Sequence, residues 1–350
     1  MASNWKVEQI DLKTADDEAL RALYELSSAV RAESMPEDDV PPFEEYAGTW
    51  RAHHPRRPET SFVVRSDDGR ALGFAQVGWE EYDDNPEISF IDIKVSADAR
   101  RQRIGVSLAH ACLEVAEAAG RPKLFFDAHK NIPAGSAFLE GLGAEHKFTG
   151  RYSLLRFGDV DVAQLEGWVT RAAERASDYE LDGWVGPCPD DRAEAFVAEQ
   201  AVMNTAPLEN LDIEDEVFTV ERLRDREQIW TERGVDWQTL VAVHKSTGEM
   251  VAHTDVMLPR NWPQRAYQND TGVNPAHREK GLGRWLKAQM LLDIMRERPS
   301  VTSIVTFNAG SNDAMLGINY AMGFRTVGEF PAYQVPLEVA RPKLDGLLDL

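Results

Sequence analysis

The segment that joins a predicted strand to a predicted helix near residue 280 has the spacing of an anion-binding loop. It runs Val273-x-Pro275-x-x-Arg278-x-x-Gly281-x-Gly283. Glycines let the backbone come close to a ligand, and successive free N–H groups at a helix N-terminus donate to phosphate oxygens. The loop lacks the Gly-Lys-Ser/Thr ending of a P-loop, and its glycine spacing differs from the dinucleotide fingerprint. Its position between strand and helix favours a pyrophosphate site over a helix that merely begins tightly.

Side chains that could carry a proton surround this loop in sequence. The candidate catalytic residues are Asp255, Tyr267, Asp270 and Tyr320. For Asp255 and Asp270, a structural role is as good an explanation as a catalytic one, and Tyr320 could pack in a core. His253, two residues before Asp255, is more typical of a hydrogen-bonded structural histidine than of a catalytic one.

In the predicted strand that contains Tyr267 and Asp270, successive side chains point to opposite faces. Tyr267, Asn269 and Thr271 are predicted on one face, and Gln268 and Asp270 on the other.

No metal-ligand set is expected. The eight histidines have no paired spacing beside carboxylates, and Cys112 and Cys188 are too few for a cysteine cluster or a disulfide framework. Neither is there a Gly-x-Ser-x-Gly elbow, which is consistent with direct attack of a substrate nucleophile. Two cysteines fit a reducing compartment, and no export or membrane-spanning signal is visible, so the cytoplasm is expected.

The chain contains an internal repeat. The segment from Val95 to Gly105 aligns with that from Val273 to Gly283, 178 residues later, and segments on either side align at nearly the same offset. Arg100 and Gly105 match the second loop, but Arg103 stands at the position of Gly281. Three near-equal offsets indicate duplication.

Each half predicts the same order of elements, helices first, then strands, a helix, a strand, a helix and final strands. In the second half the helices are 190–203, 215–232, 282–298 and 313–322, and the strands 239–244, 250–258, 266–273, 301–307, 324–330 and 333–335. In the first half the helices are 16–31 and 104–119, and the strands 61–65, 72–79, 88–95 and 124–128. An amphipathic, uncapped connecting helix is predicted over 159–177.

Length, composition and charge bound the function. A chain of 350 residues suits two domains, and 43% hydrophobic with 28% charged residues is typical of a globular protein. A net charge of −21 makes nucleic acid and anionic membranes improbable partners and would attract a cationic amine, although solubility alone explains such a charge.

These motifs resemble the GNAT superfamily of N-acetyltransferases, which hold the acetyl-coenzyme A pyrophosphate on an (Arg/Gln)-x-x-Gly-x-(Gly/Ala) loop. The later pattern Asn312-x-x-Met315-x-x-x-Asn319-x-x-x-Gly323-Phe324 strengthens the resemblance, which covers both halves. The duplicated arrangement is similar to mycothiol synthase and other two-domain actinobacterial acetyltransferases. The resemblance implies an α+β fold of two tandem GNAT-like domains, each with a mixed, mostly antiparallel central sheet flanked by helices.

The resemblance also implies how acetyl-CoA is bound. Its pyrophosphate would lie on the loop, while the backbone of Val273 would pair with the pantetheine arm and amides further on would line it. The implied cofactor-binding residues are Val273, Arg278, Glu279, Lys280, Gly281, Leu282, Gly283, Arg284, Asn308 and Asn312.

The sequence departs from the family in three places. Arg103 is expected to crowd the first loop, although its guanidinium could instead bind a phosphate, and the first domain is expected not to catalyse. The family's frequent Glu corresponds to Tyr267, and its frequent Tyr corresponds to Asn319. The usual base and acid are therefore missing from the second domain.

Two functions remain open from the sequence. One is an N-acetyltransferase that moves acetyl from acetyl-CoA to a primary amine of a small molecule, and the other is a non-catalytic acyl-CoA-binding or sensing protein. The predicted limits are 1–158 for a domain with a degenerate loop, 159–178 for a connecting helix and 179–350 for the acetyl-CoA-binding domain. A monomer or a homodimer is expected, with no nucleic acid or membrane partner.

Overall fold

The computed structural model describes residues 5–348 and divides into two compact units. Unit 1 takes the chain up to Gly150, the segment Leu208–Glu214 and the chain from Val327 onward. Unit 2 takes Arg151–Pro207 and Asp215–Thr326. Each unit is therefore built from segments that are separated in the sequence. The sequence had predicted two continuous domains instead, with limits at residues 158 and 179.

The first part of the chain holds six strands and four helices within its described residues. They are β1 (Val7–Ile10), α1 (Asp17–Ser34), α2 (Phe43–Arg51), β2 (Glu59–Arg65), β3 (Ala71–Gly78), β4 (Ile88–Val95), α3 (Ile104–Ala118), β5 (Lys123–Asp127), α4 (Pro133–Gly141) and β6 (Glu145–Arg156).

The remainder of the described chain repeats this series. Its elements are α5 (Val162–Arg175), β7 (Tyr179–Val185), α6 (Ala193–Gln200), α7 (Val220–Glu232), β8 (Val235–His244), β9 (Glu249–Pro259), β10 (Arg265–Val273), α8 (Leu282–Glu297), β11 (Ser303–Ala309), α9 (Asp313–Met322), β12 (Arg325–Pro336) and α10 (Leu337–Leu348).

The two units share one sheet order. In unit 1, β1, β2, β3 and β4 pair antiparallel in succession, β5 runs parallel to β4, and the end of β12 pairs antiparallel with β5. In unit 2, β7, β8, β9 and β10 pair antiparallel and β11 runs parallel to β10, with the end of β6 beyond it. This confirms the predicted α+β class with mixed, mostly antiparallel sheets.

Several predicted elements have different ends, for local reasons. The two predicted last strands form the single strand β12, because Pro331 keeps its carbonyl in the ladder and accepts from the Ala128 amide at 2.9 Å. Helix α5 was predicted uncapped, which is wrong: the Asp161 carboxylate accepts from the Gln164 amide at 3.0 Å. Helix α7 begins only at Val220, after the Thr219 cap. The sequence prediction did not identify β1, α2, α4, β6, β7 or α10.

Apolar faces of the helices pack on each sheet. In unit 1, Ile104, Leu108 and Leu113 of α3 join one core with Leu344 of α10. In unit 2, α8 lies against α5 and the sheet, and its inward residues include Leu286 and Met290. Within residues 5–348, no helix combines the length and the apolar character needed to cross a bilayer.

One inward position of α8 carries a lysine. Lys287 is 1% exposed, its ammonium lies 5.7 Å from the centre of the Phe324 ring, and burial lowers its pKa to about 7. A buried ammonium costs stability unless it is paired or neutralised.

We expect Lys287→Met to raise the thermal midpoint at pH 7, with a gain that shrinks toward pH 10. Between a folded pKa of about 7 and the ordinary value of 10.5, the unfolded chain binds a proton that the folded chain lacks, so wild-type stability rises with pH. The slope is about 1.4 kcal/mol per pH unit. Thermal denaturation at pH 7 and pH 9.5 measures it, with the exposed Lys280→Met as control; an equal gain at both pH values contradicts a depressed pKa.

Candidate functional site

The loop between β10 and α8 has the backbone shape of an anion nest. After a short 3₁₀ turn over Pro275–His277, positive φ angles occur at Glu279 (64°) and Gly281 (82°). Helix α8 begins at the next residue, Leu282. Alternating left- and right-handed residues turn successive N–H groups toward one point, where a helix N-terminus adds its own.

Open space surrounds the first loop glycine. A Cβ built on Gly281 would meet no atom within 4 Å, and one on Gly283 would meet Cγ2 of Val273 at 3.4 Å. The backbone there can therefore approach a bulky anion without obstruction.

The predicted loop arginine braces the loop itself. Arg278 Nε donates to the Val273 carbonyl at 3.1 Å, and Arg278 Nη2 donates to Thr205 Oγ1 at 2.5 Å. The loop shape is thus fixed from the strand end and from the turn after α6.

Other side chains predicted to bind cofactor have structural contacts of their own. Leu282 lies in the core, the Arg284 guanidinium stacks 4.8 Å from the Trp168 ring, and Asn312 caps α9 by accepting from the Met315 amide at 3.2 Å. Asn308 accepts from the Asn319 amide group at 2.8 Å. Glu279 and Lys280 are exposed.

The corresponding loop of unit 1 has the same backbone conformation as the loop of unit 2 but different side chains. Positive φ angles recur at Arg101 (64°) and Arg103 (65°), and Arg100 Nε donates to the Val95 carbonyl at 3.3 Å, as Arg278 does in unit 2. The Arg103 guanidinium reaches the Leu348 carbonyl at 3.4 Å. The Arg103 side chain is thus tied to the end of α10, and the expected crowding of a phosphate there stays a prediction.

In unit 2 the strands beside the loop separate. Parallel pairing of β10 with β11 runs from Arg265 to Gln268 on β10, and the register of β10 with β9 shifts between Gln268 and Thr271. The last residues of β10 continue without that parallel pairing, which opens a slot between the two strands.

Buried charges line β9 next to this bulge. His253 is fully buried, and its Nδ1 is hydrogen-bonded to Glu199 of α6, whose side chain is 1% exposed. Asp255 is 3% exposed, and its Oδ2 accepts from Asn269 Nδ2 at 2.9 Å. Sequence analysis had not identified Glu199; the one available signal was the i, i+2 spacing of His253 and Asp255, which puts both on one face.

The bulge brings Asp270 to the same cluster, so the predicted alternation along β10 is wrong at this point. Asn269 and Asp270 are neighbours in sequence, yet Asn269 bonds Asp255 and the Asp270 carboxylate interacts electrostatically with it. An extra residue in one strand reverses the expected faces. Arg226 of α7 lies 4.0 Å from Asp270.

Burial and neighbouring charges set the protonation of this cluster. Burial, followed by the charge of Asp270, raises the pKa of Asp255 to about 6. Burial acts to lower the pKa of His253, but the Glu199 carboxylate, together with Asp270 and Asp255, outweighs it, so that pKa is raised. The cluster therefore pairs an imidazolium with a carboxylate that titrates close to neutral pH.

A ring nitrogen of His253 and one carboxylate oxygen each of Asp255 and Asp270 lie within 4.8 Å of one another. The sequence had predicted no grouping of this kind. Three charged groups that converge where two strands separate form a site in which a proton can be taken up.

Of these three groups, unit 1 keeps only a carboxylate, Asp92 at the position of Asp270. Phe74 and Gln76 of β3 correspond to His253 and Asp255, and Lys94 corresponds to Gly272. A Cβ on Gly272 would approach the His253 ring to 2.9 Å, so the glycine makes room for the histidine. In the duplicated fold, the buried acid–base cluster belongs to unit 2.

The two predicted tyrosines lie in unlike surroundings. The Tyr267 ring packs edge-on against Trp262, with 6.4 Å between ring centres. Tyr320 is 43% exposed, so it is no core residue, and its hydroxyl accepts from Arg151 at 3.2 Å and contacts Thr326 Oγ1 at 3.1 Å. Asn319, at the family's tyrosine position, is fully buried.

Comparison with known proteins identifies the repeated unit. Residues 20–144 and 206–324 both match the model of the acetyltransferase (GNAT) family. No curated protein matches the chain significantly. The predicted likeness to mycothiol synthase stays a prediction.

Solved structures share the fold over nearly the whole chain. A tandem GNAT protein from the clavulanic acid biosynthesis pathway has 24% identity and a TM-score of 0.77, covering 95% of this chain and 99% of its own. A GCN5-related N-acetyltransferase from Sphaerobacter thermophilus has 14% identity and a TM-score of 0.69, covering 95% and 96%. A glucosamine N-acetyltransferase region of a fungal multi-domain β-N-acetylglucosaminidase has 12% identity and a TM-score of 0.64, covering 96% and 38%.

We expect Asp255→Asn to stabilise the protein at pH 8 by on the order of 2 kcal/mol, and by less at pH 4. The folded pKa of about 6 exceeds the ordinary 3.8, so the wild-type carboxyl costs stability progressively as pH rises from 3.8 to 6. Urea denaturation at both pH values measures the difference. Asp293→Asn, which removes the carboxylate paired with Arg296 at 2.7 Å, should not stabilise; equal behaviour of both variants contradicts the assignment.

Proposed function

Because the chain belongs to the GNAT family of acetyltransferases, we propose that it transfers acetyl from acetyl-CoA to a primary amine of a small molecule. One observation carries the proposal: within residues 5–348, the open glycine nest and the buried acid–base cluster occur together in unit 2. We assign binding and chemistry to unit 2 and a structural role to unit 1.

The loop fits the donor's pyrophosphate. Gly281 borders open space directly before the N-terminus of α8, where backbone N–H groups and the helix dipole favour an anion. The slot between β10 and β11 fits the pantetheine arm, with the Val273 backbone at its edge. When bound, acetyl-CoA supplies the thioester carbonyl that the amine attacks.

Of the predicted cofactor-binding residues, we assign the contacts mainly to backbone. Arg278, Leu282, Arg284 and Asn312 hold the loop and its neighbouring helices in place through their side chains. Exposed Lys280 remains available to pair with a phosphate.

Asp255 is the proton acceptor in this proposal. A primary amine is protonated at neutral pH and must lose a proton before its nitrogen can attack a carbonyl. A carboxylate with a pKa of about 6 is mostly ionised at pH 7 and basic enough to take that proton. Asp270, partly exposed beside Arg226, adds a second carboxylate that attracts the ammonium.

The amine, once neutral, forms the new C–N bond and coenzyme A leaves as a thiolate. Asn319 cannot protonate it, since its side chain is buried and donates to Asn308. Tyr320, with a hydroxyl contacted by the Arg151 guanidinium, remains the candidate acid, and Tyr267 a candidate wall of the acceptor site. The chain's charge of −21 raises the local concentration of a cationic acceptor.

Both cysteines are free and buried, in agreement with a reducing compartment, and we place the reaction in the cytoplasm. All the residues assigned to the site come from unit 2 of one chain, so the site can be complete in a monomer as well as in a homodimer.

Gly281→Arg should abolish acetyl-CoA binding while the fold persists. Arg103 already adopts the same left-handed conformation in unit 1, so the backbone tolerates arginine there, but its side chain would enter the nest. Isothermal titration calorimetry measures affinity, with Arg103→Gly as the matched control that leaves the unit 2 site unchanged. Unaltered binding by Gly281→Arg would rule out this loop as the cofactor site.

Asp255→Asn should lower kcat/KM by about 10²- to 10⁴-fold, as loss of a general base does. The wild-type kcat/KM should fall about tenfold per pH unit below pH 6, because protonated Asp255 accepts no proton. Thiol release from acetyl-CoA across a library of amines, at pH 5 to 9, provides the assay, and Asp293→Asn is the control. Tight acetyl-CoA binding without turnover of any amine would favour the acyl-CoA-binding alternative.

A further inference from the structure

The charged cluster of unit 2 contains polar atoms that nothing in the protein satisfies. His253 Nε2, Asp255 Oδ1 and Glu199 Oε1 are buried without a hydrogen-bond partner. Such atoms are rare in native proteins, and several in one place indicate a small polar occupant.

The spacing of the cluster defines the size of that occupant. A ring nitrogen of His253 and carboxylate oxygens of Asp255 and Asp270 lie within 4.8 Å of one another, and Nδ1 is already taken by Glu199. A point within about 2.8 Å of all three atoms therefore exists, which is the length of a hydrogen bond. One oxygen or nitrogen atom at that point would be within hydrogen-bond distance of all three groups.

The charges of the three groups define its chemistry. Glu199 keeps His253 protonated, so the free ring nitrogen is a donor, while the two carboxylates are acceptors. Water matches this set, since it accepts one hydrogen bond and donates two. An ammonium group would meet the imidazolium proton, and a divalent cation needs a deprotonated imidazole as ligand.

We infer that a water molecule bound by His253, Asp255 and Asp270 relays the proton of the acceptor amine to Asp255, with Glu199 and His253 as positioning residues. This inference rests on the proposed N-acetyltransferase function. The ammonium gives one proton to the water oxygen, and the water passes one of its protons to the Asp255 carboxylate. Water is regenerated, and the amine is left neutral.

The positioning pair also keeps Asp255 ionised. The groups that face Asp255 are His253 on β9, Asp270 and Asn269 on β10, and Arg226 on α7; His253, Arg226 and Asn269 favour its charged form, and Asp270 opposes it. Without Glu199, His253 would lose the two strongest influences that raise its pKa, while desolvation, the largest single influence, would still lower it, so the ring would be less readily protonated. Asp255 would then lose a neighbouring positive charge, and its pKa would rise.

Glu199→Gln tests this chain of contacts. The acid limb of the kcat/KM profile should move up by about one pH unit, so that the rate constant falls about tenfold at pH 6 and changes little at pH 8.5. The KM for acetyl-CoA should stay the same. His253→Gln should shift the limb in the same direction and also lower kcat, because the water loses its donor.

Glu227→Gln is the matched control. Glu227 is equally buried on α7, but it pairs with Arg224 at 2.6 Å and with the Cys188 amide at 2.7 Å, outside the cluster. The control should lower stability without moving the acid limb. An unmoved limb in an active, folded Glu199→Gln protein overturns the relay and leaves the proposed function intact.

A crystal structure of the wild-type protein provides a test that needs no variant. At a resolution near ~1.5 Å it should show one oxygen between His253 Nε2, Asp255 and Asp270 at hydrogen-bond distances. An empty site, or a stoichiometric metal ion by elemental analysis whose removal by chelation abolishes turnover, overturns the inference. Absence of turnover with every amine counts against the function itself, and the crystal still decides whether the water is bound.

Discussion

The extra residue in β10 is the constraint on which the candidate site depends. Between Gln268 and Thr271 the strand loses regular register with β9, and its parallel pairing with β11 ends at Gln268. One distortion thus opens a slot between two strands and turns Asn269 and Asp270 toward Asp255. A regular strand would have kept the slot closed and sent alternate residues to opposite faces.

The duplication separates the scaffold from the chemistry. Both loops keep two left-handed residues and an arginine bonded to the preceding strand, although Arg101 and Arg103 adopt that conformation at a cost that glycine avoids. Unit 1, by contrast, has Phe74 where unit 2 has His253, and no register shift between β3 and β4. The nest shape is therefore retained with different residues at its left-handed positions, whereas the acid–base cluster needs specific residues and a bulge together.

Much of this was predictable from the sequence, and the reasons for the rest are physical. Helix α9 and strand β4 were predicted with their observed limits, because their apolar periodicity and their glycine or turn residues are local signals. The assignment of Leu208–Glu214 to unit 1 was not predictable, since this segment carries no periodic pattern. Contacts that are distant in sequence hold it there: the Asp212 carboxylate pairs with Lys123 at 2.9 Å, and the Asp212 amide donates to the Gln334 side chain at 2.8 Å. Glu199 was missed because its role depends on His253, 54 residues away.

The energetics of unit 2 favour a functional interpretation of its buried charges. A core gains nothing from an unpaired carboxylate oxygen or an unpaired imidazole nitrogen, and replacement by apolar groups of similar shape is commonly neutral or stabilising. The equivalent positions of unit 1 demonstrate this within the same chain, since Phe74 is 1% exposed and packs in an apolar core there. The position of His253 can thus be filled by an apolar side chain in the same fold. The folding requirement therefore does not account for the buried Glu199–His253 pair, whereas a task that needs a proton acceptor beside a separated pair of strands does.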